Sequence, residues 1–412
     1  MSGPAWISLL AVVVLYVLLL GDWFHRAWVA LGLATALVAS RTISLSAAFS
    51  SIDWNTIFLL AGMMIFVAYL GEAGLFRLLG RWARAWAGGH PWRLLWIFYV
   101  FTATISAFLD NVTTILLLTP ILIDAAEEMG LDPVPLIIVQ VIASNLGGMA
   151  TLIGDPPNIL IGTAAQLSFL EFLAILGPIA LLTLAALAVV LPLFVRLNPA
   201  PVRRHDDRFI AVSPHLKGLL IILVMMLAAF ILQRQLHVKV GYLALMGALA
   251  ATVYTHGFRG RWYRYVDYAT LGFFLGVFVL VGALESSGFV RYLAGWLDQP
   301  TLGPWLPLLL FSGTAVFSAL LDNVPLVAAL LPVISHLVAR DPHFGVELWL
   351  AIGLGAAIGG NATVIGASAN VVAQGLAIER GYSLSFRQFA RLGLKAAAFT
   401  ALVSAAYLAV RF

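Results

Sequence analysis

The chain has 412 residues, of which 62% are hydrophobic and only 10% charged, with a formal net charge of +4; a soluble domain carries roughly 25% charged residues. A water-exposed protein could not hide this much apolar surface, so lipid is the solvent for most of the chain. The lack of cysteine excludes disulfides, thiolate metal sites and thiol catalysis; there is no Walker A pattern and no metal-site spacing of His and Asp, so neither a cofactor nor a resident metal is expected.

In chain order, continuous apolar spans are expected near residues 5–21, 26–40, 54–75, 171–196, 216–234, 240–256, 268–289 and 387–410. The first has no preceding Lys or Arg and no small-residue cleavage site, and reads as a retained span rather than a removed signal. "RLLGRWARAWAGG" (77–89) is basic and amphipathic, as a connector along the membrane surface would be. Segments 92–128 and 303–339 are apolar with Asp-Asn near the middle, the pattern of re-entrant hairpins. Segments 133–165 and 345–378 are long enough to cross but are interrupted by glycine and polar residues. "NPAPVRRHDDRFIAVSPH" (198–215) is the central linker. The expected fold is an all-α polytopic membrane protein with about ten crossings and two re-entrant helical hairpins.

On this map sixteen Lys and Arg, from Arg26 to Arg391, fall on one face and six on the other. The basic face should be cytoplasmic, at a cell inner (plasma) membrane, with both termini extracytoplasmic. Although the pI is 9.4, the basic residues lie in short loops, so no nucleic-acid partner is expected. Trp23, Trp54, Trp92 and Trp262 read as interface anchors, Glu72 and Glu285 as interfacial, and His90, His205, His256 and His343 as solvated loop residues.

The first half recurs 212 residues later. "TATISAFLDNVTTILLLTP" (102–120) aligns with "TAVFSALLDNVPLVAALLP" (314–332), and "GGMATLIGDPPN" (147–158) with "GGNATVIGASAN" (359–370). Upstream the offset drifts by two, so that Asp53 and Thr56 meet Asp267 and Thr270. Five crossings per half is an odd number, so the second repeat must be inverted. Inverted repeats with interrupted helices are the mark of secondary transporters, whose sites lie where the breaks meet.

Asp110 and Asp322 head Asp-Asn-Val at the two hairpin tips. A carboxylate at the bilayer centre costs at least ~2.5 kcal/mol, so a proton- or cation-handling role is expected, although an N-cap reading coexists with it. Asp155, beside Pro156 and Pro157 and matched by Ala367, is a third coupling candidate. Asn111, Thr113, Thr114, Thr151, Asn158, Asn323, Asn361, Thr363 and Asn370 are candidate solute ligands, against the alternative that they satisfy the backbone at helix breaks. Gly147, Gly148, Gly154, Gly359, Gly360 and Gly366 should let the breaks unwind and pack closely.

The paired Asp-Asn-Val tips, with "GGMATLIGDPPN" after the first, resemble the ion transporter superfamily, specifically the ArsB/NhaD permeases: arsenite efflux pumps, sodium–proton antiporters and the melanosomal P protein. The divalent-anion sodium symporters are more distantly similar but carry Ser-Asn-Thr at the tips. Asp in place of Ser disfavours a dicarboxylate here. The resemblance implies scaffold parts (1–91 and 216–300), mobile transport parts (92–197 and 301–412) and an elevator-like movement. The substrate expected is small and inorganic: arsenite or antimonite as the uncharged trihydroxide, exported against protons. Without thiolates the site would not hold arsenic too tightly to release it. A sodium–proton antiporter is the rival reading. A divalent-anion symporter and a non-transporting membrane anchor are weaker ones. Beyond the lipid bilayer, a soluble cytoplasmic ATPase subunit and a second copy of the chain are the candidate partners.

Overall fold

The computed structural model describes residues 3–21, 23–202, 212–257, 262–297, 303–340 and 345–411. Its architecture is all-helical, with one isolated bridge, Leu131 with Pro199, among the described residues. The first half contains α1 (Gly3–Gly21), α2 (Arg26–Ala39), α3 (Leu45–Ser50), α4 (Trp54–Glu72), α5 (Leu75–Ala87), α6 (Pro91–Ser106), α7 (Asn111–Glu128), α8 (Pro133–Gly148), α9 (Pro156–Ala164) and α10 (Phe169–Phe194). The second half contains α11 (Leu216–Ile231), α12 (Gln233–Leu236), α13 (Val240–His256), α14 (Tyr268–Ser286), α15 (Phe289–Leu297), α16 (Leu306–Ser318), α17 (Asn323–Arg340), α18 (Gly345–Gly360), α19 (Ser368–Glu379) and α20 (Phe386–Arg411). Each expected span is a helix within a few residues, each hairpin is two helices, and each interrupted crossing is two helices with a break. The protein is a polytopic membrane protein.

Polarity is turned inside out, as lipid requires. Leu193 and Val189 on α10 and Leu402 and Val410 on α20 are more than 70% exposed, whereas Asn111, Asn145, Asn361 and Asn370 are buried. Among the described residues, five helices (α4, α10, α14, α17 and α20) are each long and apolar enough to cross a membrane alone. The arms of α6 and α7 are 16 and 18 residues long, about 24–27 Å of helix.

The two halves pack as mirror partners. α2 lies against α14 and α4 against α13, while α6 packs on α8 as α16 does on α18. The second arm of each hairpin crosses over: α7 meets α19, and α17 meets α9. Missing side chains make these contacts. A Cβ on Gly276 would lie 2.5 Å from the Ala30 carbonyl carbon, and one on Gly62 would lie 2.6 Å from that of Ala244. Such approaches weld α2 to α14 and α4 to α13.

Contacts between distant segments respect the two faces of the map. Arg380 bonds Asp124 at 2.7 Å, Tyr382 bonds Glu127 at 2.5 Å and Tyr265 bonds Glu72 at 2.6 Å, all on the basic face. Arg234 pairs with Glu171 at 2.7 Å on the other face. The described start of the linker runs beside the α7–α8 turn, where Ala200 N–H donates to the Gly130 carbonyl at 2.7 Å. Residues 203–211 of the linker, and His205 and His343, lie outside the described residues. His90 and His256 are exposed, and the His256 ring rests 5.6 Å from that of Tyr69. Trp23, Trp54, Trp92 and Trp262 are all exposed.

Candidate functional site

Each hairpin turns at an aspartate. Asp110 caps α7: one carboxylate oxygen accepts the Thr113 N–H at 3.0 Å and the other accepts the Thr113 hydroxyl. Asp322 cannot repeat this cap, because the position of Thr113 is Pro325, with neither N–H nor hydroxyl. Its Oδ1 accepts the Val324 N–H at 3.0 Å, and its Oδ2 accepts the Ser368 hydroxyl at 2.5 Å. One substitution thus turns a local cap into a tie between the second hairpin and α19.

The breaks are stitched identically in both repeats. Asn158 Nδ2 donates to the Gly148 and Thr151 carbonyls, both at 2.9 Å, and Asn370 Nδ2 to those of Gly360 and Thr363, both at 2.7 Å. Thr151 Oγ1 donates to the Ala107 carbonyl, and Thr363 Oγ1 to that of Ala319 at 2.6 Å. In this structure the Asn158 and Asn370 amides and the Thr151 and Thr363 hydroxyls therefore satisfy backbone freed by the breaks. None of the six break glycines adopts a positive φ; their function is close approach rather than unusual backbone conformation. A Cβ on Gly147 would lie 2.2 Å from the Ala103 carbonyl oxygen, and one on Gly359 would lie 2.2 Å from that of Ala315.

Where the breaks cross, the polar side chains meet. Asn111 Nδ2 donates to Asn145 Oδ1 at 3.2 Å, and Asn145 Nδ2 donates to Asn361 Oδ1 at 3.0 Å and Asn370 Oδ1 at 3.1 Å. Asn323 Nδ2 donates to Asp155 Oδ2 at 3.2 Å. Asn111 to Asn145 stays within the first repeat, and the other three bonds join the two. All six residues are buried. Thr114 Oγ1, one turn along α7 from Asn111, is buried without a hydrogen-bond partner among the described residues. Asp110 and Asp322 are half-buried, and Asp155 lies within electrostatic reach of both.

Three contributors escaped sequence reasoning. Asn145 holds the centre, but it sits within a helix and its repeat partner is Ala357, so neither the break nor the repeat pointed to it. Ser368 replaces Pro156, and Arg26 reaches Ser368 Oγ at 2.8 Å; the distribution of charge marks Arg26 only as a determinant of topology.

The chain is similar over nearly its whole length to known proteins. A sequence model described as the citrate transporter family (CitMHS) matches residues 16–341 and, again, 301–411. An uncharacterized transporter of Mycobacterium tuberculosis is 37% identical over 416 residues, covering 96% of each chain. The "46 kDa membrane protein" of Mycobacterium leprae is 34% identical, covering 98% of each. The human P protein is 30% identical, over 96% of this chain and 58% of its own length. Among solved structures, the YdaH transporter of Alcanivorax borkumensis has a TM-score of 0.60 at 16% identity, covering 99% of this chain and 98% of that one, a likeness of fold. The Mycobacterium tuberculosis relative and the YdaH protein are named as transporters, and the Mycobacterium leprae relative as a membrane protein; the chain is a transporter-family protein rather than an enzyme and belongs to the citrate transporter family.

Proposed function

We propose that the protein is a secondary active transporter that exchanges protons for a small uncharged polar solute, arsenite or antimonite trihydroxide, by an elevator-like displacement. The observation that carries this reading is the buried network of carboxamides, with Asp155 attached, drawn from both repeats. Amides and the unpartnered Thr114 hydroxyl can both donate to and accept from a trihydroxide, and carboxylates can carry the exchanged proton. The elevator reading is supported by the glycine-welded α2–α14 and α4–α13 pairs, which would serve as a frame, and by the crossed packing of the hairpins on the broken helices, which would move as a body.

Citrate, the solute in the family's name, is multiply anionic near neutral pH. A centre of amides and carboxylates disfavours it unless its charge is neutralised. The ArsB/NhaD placement rests on the hairpin-tip motifs. A sodium–proton antiporter is the second reading, favoured by Asp155 lying within electrostatic reach of two further carboxylates.

Purified protein in vesicles with an imposed pH gradient tests both readings. Arsenite should accumulate in the wild type, and the double variant Asp110→Asn, Asp322→Asn should abolish that accumulation. Accumulation unchanged in the double variant overturns the carboxylate role. Sodium-dependent dequenching of a pH dye with no arsenite response decides for the antiporter.

A further inference from the structure

Arg26, the first residue of α2, lies at the junction of the two bodies. Its Nη1 donates to Ser368 Oγ at 2.8 Å and its Nη2 to Thr270 Oγ1 at 3.0 Å. Each hydroxyl in turn donates a hydrogen bond to a carboxylate: Ser368 to Asp322 and Thr270 to Asp267, both at 2.5 Å. The guanidinium also lies 5.7 Å from the Phe273 ring centroid, so its orientation is fixed from three sides. Beside it opens a cavity of about 420 Å³ whose wall includes Tyr16, His25, Asp322, Ser368 and Val371.

Thr270, Asp267 and Arg26 belong to the frame, since Gly276 packs α14 onto α2 at Ala30. Ser368 and Asp322 belong to the other body: Asp322 lies at the turn of the second hairpin, and α19 follows the break that Asn370 ties to α18 and Thr363 ties to that hairpin. Arg26 therefore spans the boundary with charge-assisted hydrogen bonds. Among the described residues the equivalent position of the other repeat has no such bridge. Arg26 aligns with Val240, and Ser368 with Pro156. The Asp53–Thr56 pair persists there at 2.5 Å without a guanidinium. The bond across that boundary is neutral, from Asn55 Nδ2 to Thr163 Oγ1 at 3.2 Å.

We infer that Arg26 is a one-sided latch, a positioning residue that holds the hairpin body in the orientation seen here through Ser368 and Asp322. The inference rests on the transport reading for its purpose, but its geometry is independent of the solute. A solute or cation that competes for Asp322 would loosen the latch and favour reorientation.

Because the chain has no cysteine, a single probe suffices. Val371→Cys, on the cavity wall, is alkylated with a membrane-impermeant maleimide from the Arg26 face of oriented vesicles, with no solute present. Adding Arg26→Gln should slow alkylation roughly tenfold, as the body leaves this orientation. Ser368→Ala, which changes no charge, should slow it in the same direction, and Arg26→Lys should restore part of the rate. Rates unchanged in both Arg26→Gln and Ser368→Ala overturn the latch. If the rates shift while no tested solute moves in the wild type, the latch stands and the transport reading fails; arsenite accumulation with unshifted rates does the reverse.

Discussion

Truncating Asn145 to alanine removes three hydrogen bonds at once, and the structure says what each loss leaves behind. Asn111 Nδ2, Asn361 Oδ1 and Asn370 Oδ1 each lose their partner, although Asn361 Nδ2 keeps the Ala357 carbonyl. At about 0.5–1.5 kcal/mol net per bond, the loss sums to roughly 1.5–4.5 kcal/mol, nearer the lower end if water fills the vacated amide volume. A sharper quantity is the coupling to Asn361. Asn145→Ala and Asn361→Ala each remove the same 3.0 Å bond, so the double variant should be less destabilised than the sum of the singles by about 1 kcal/mol. Unfolding by SDS titration in mixed micelles, run on all four proteins, measures this. Additivity within about 0.3 kcal/mol would show that the bond does not tie the repeats together, and would refute the reasoning about the centre.

Other perturbations test the breaks and the coupling group. Gly147→Ala and Gly359→Ala each drive a methyl to 2.2 Å from a carbonyl oxygen and should cost about 1–3 kcal/mol. Gly313→Ala, with nothing within 4 Å, should be neutral or stabilising by up to ~1 kcal/mol in the same assay; equal losses at all three would contradict the packing account. Asp155→Asn keeps an oxygen for the Asn323 amide but removes the charge, so flux driven by a pH gradient should fall about tenfold or more while solute counterflow persists. Full gradient-driven flux in that variant would exclude Asp155 from coupling.

The breaks were legible in the sequence because lipid forbids idle backbone: glycine, proline and asparagine clustered inside an apolar run mark a place where the helix opens and its freed groups find polar partners. The hairpins were legible for the same reason, through an Asp-Asn too costly to face acyl chains. Asn145 was not legible. Within α8 it is one of three polar residues, with Gln140 and Ser144, that form no repeat-wide pattern, and two of its three partners come from segments more than 200 residues away. The role of Asn158 and Asn370 was open for a related reason: a carboxamide serves a solute or a broken backbone equally well, and only the distances to the Gly148 and Gly360 carbonyls show where their amide protons go. Arg26 was legible as a charge but not as a contact, since the hydroxyl it reaches lies on the far repeat.

The two repeats divide the work between what they share and what they do not. Shared features are mechanical: the glycine approaches at Gly147 and Gly359, the stitched breaks, and the crossed packing of α7 on α19 and α17 on α9. On the transport reading proposed above, a body supported by the same contacts on both sides would have two orientations of similar energy, as alternating exposure requires. The differences are chemical: Asp155 against Ala367, Asn145 against Ala357, Thr113 against Pro325, Ser368 against Pro156 and Arg26 against Val240. Each adds a charge or hydrogen bond on one side only, and three of them meet at Asp322, through the missing cap, the Ser368 hydroxyl and the guanidinium behind it. On that reading symmetry would supply the near-degenerate states, and these few side chains would set the bias between them. A few kcal/mol at Asp322 would then be enough to reverse which orientation is populated, which is what the Arg26 and Ser368 variants test.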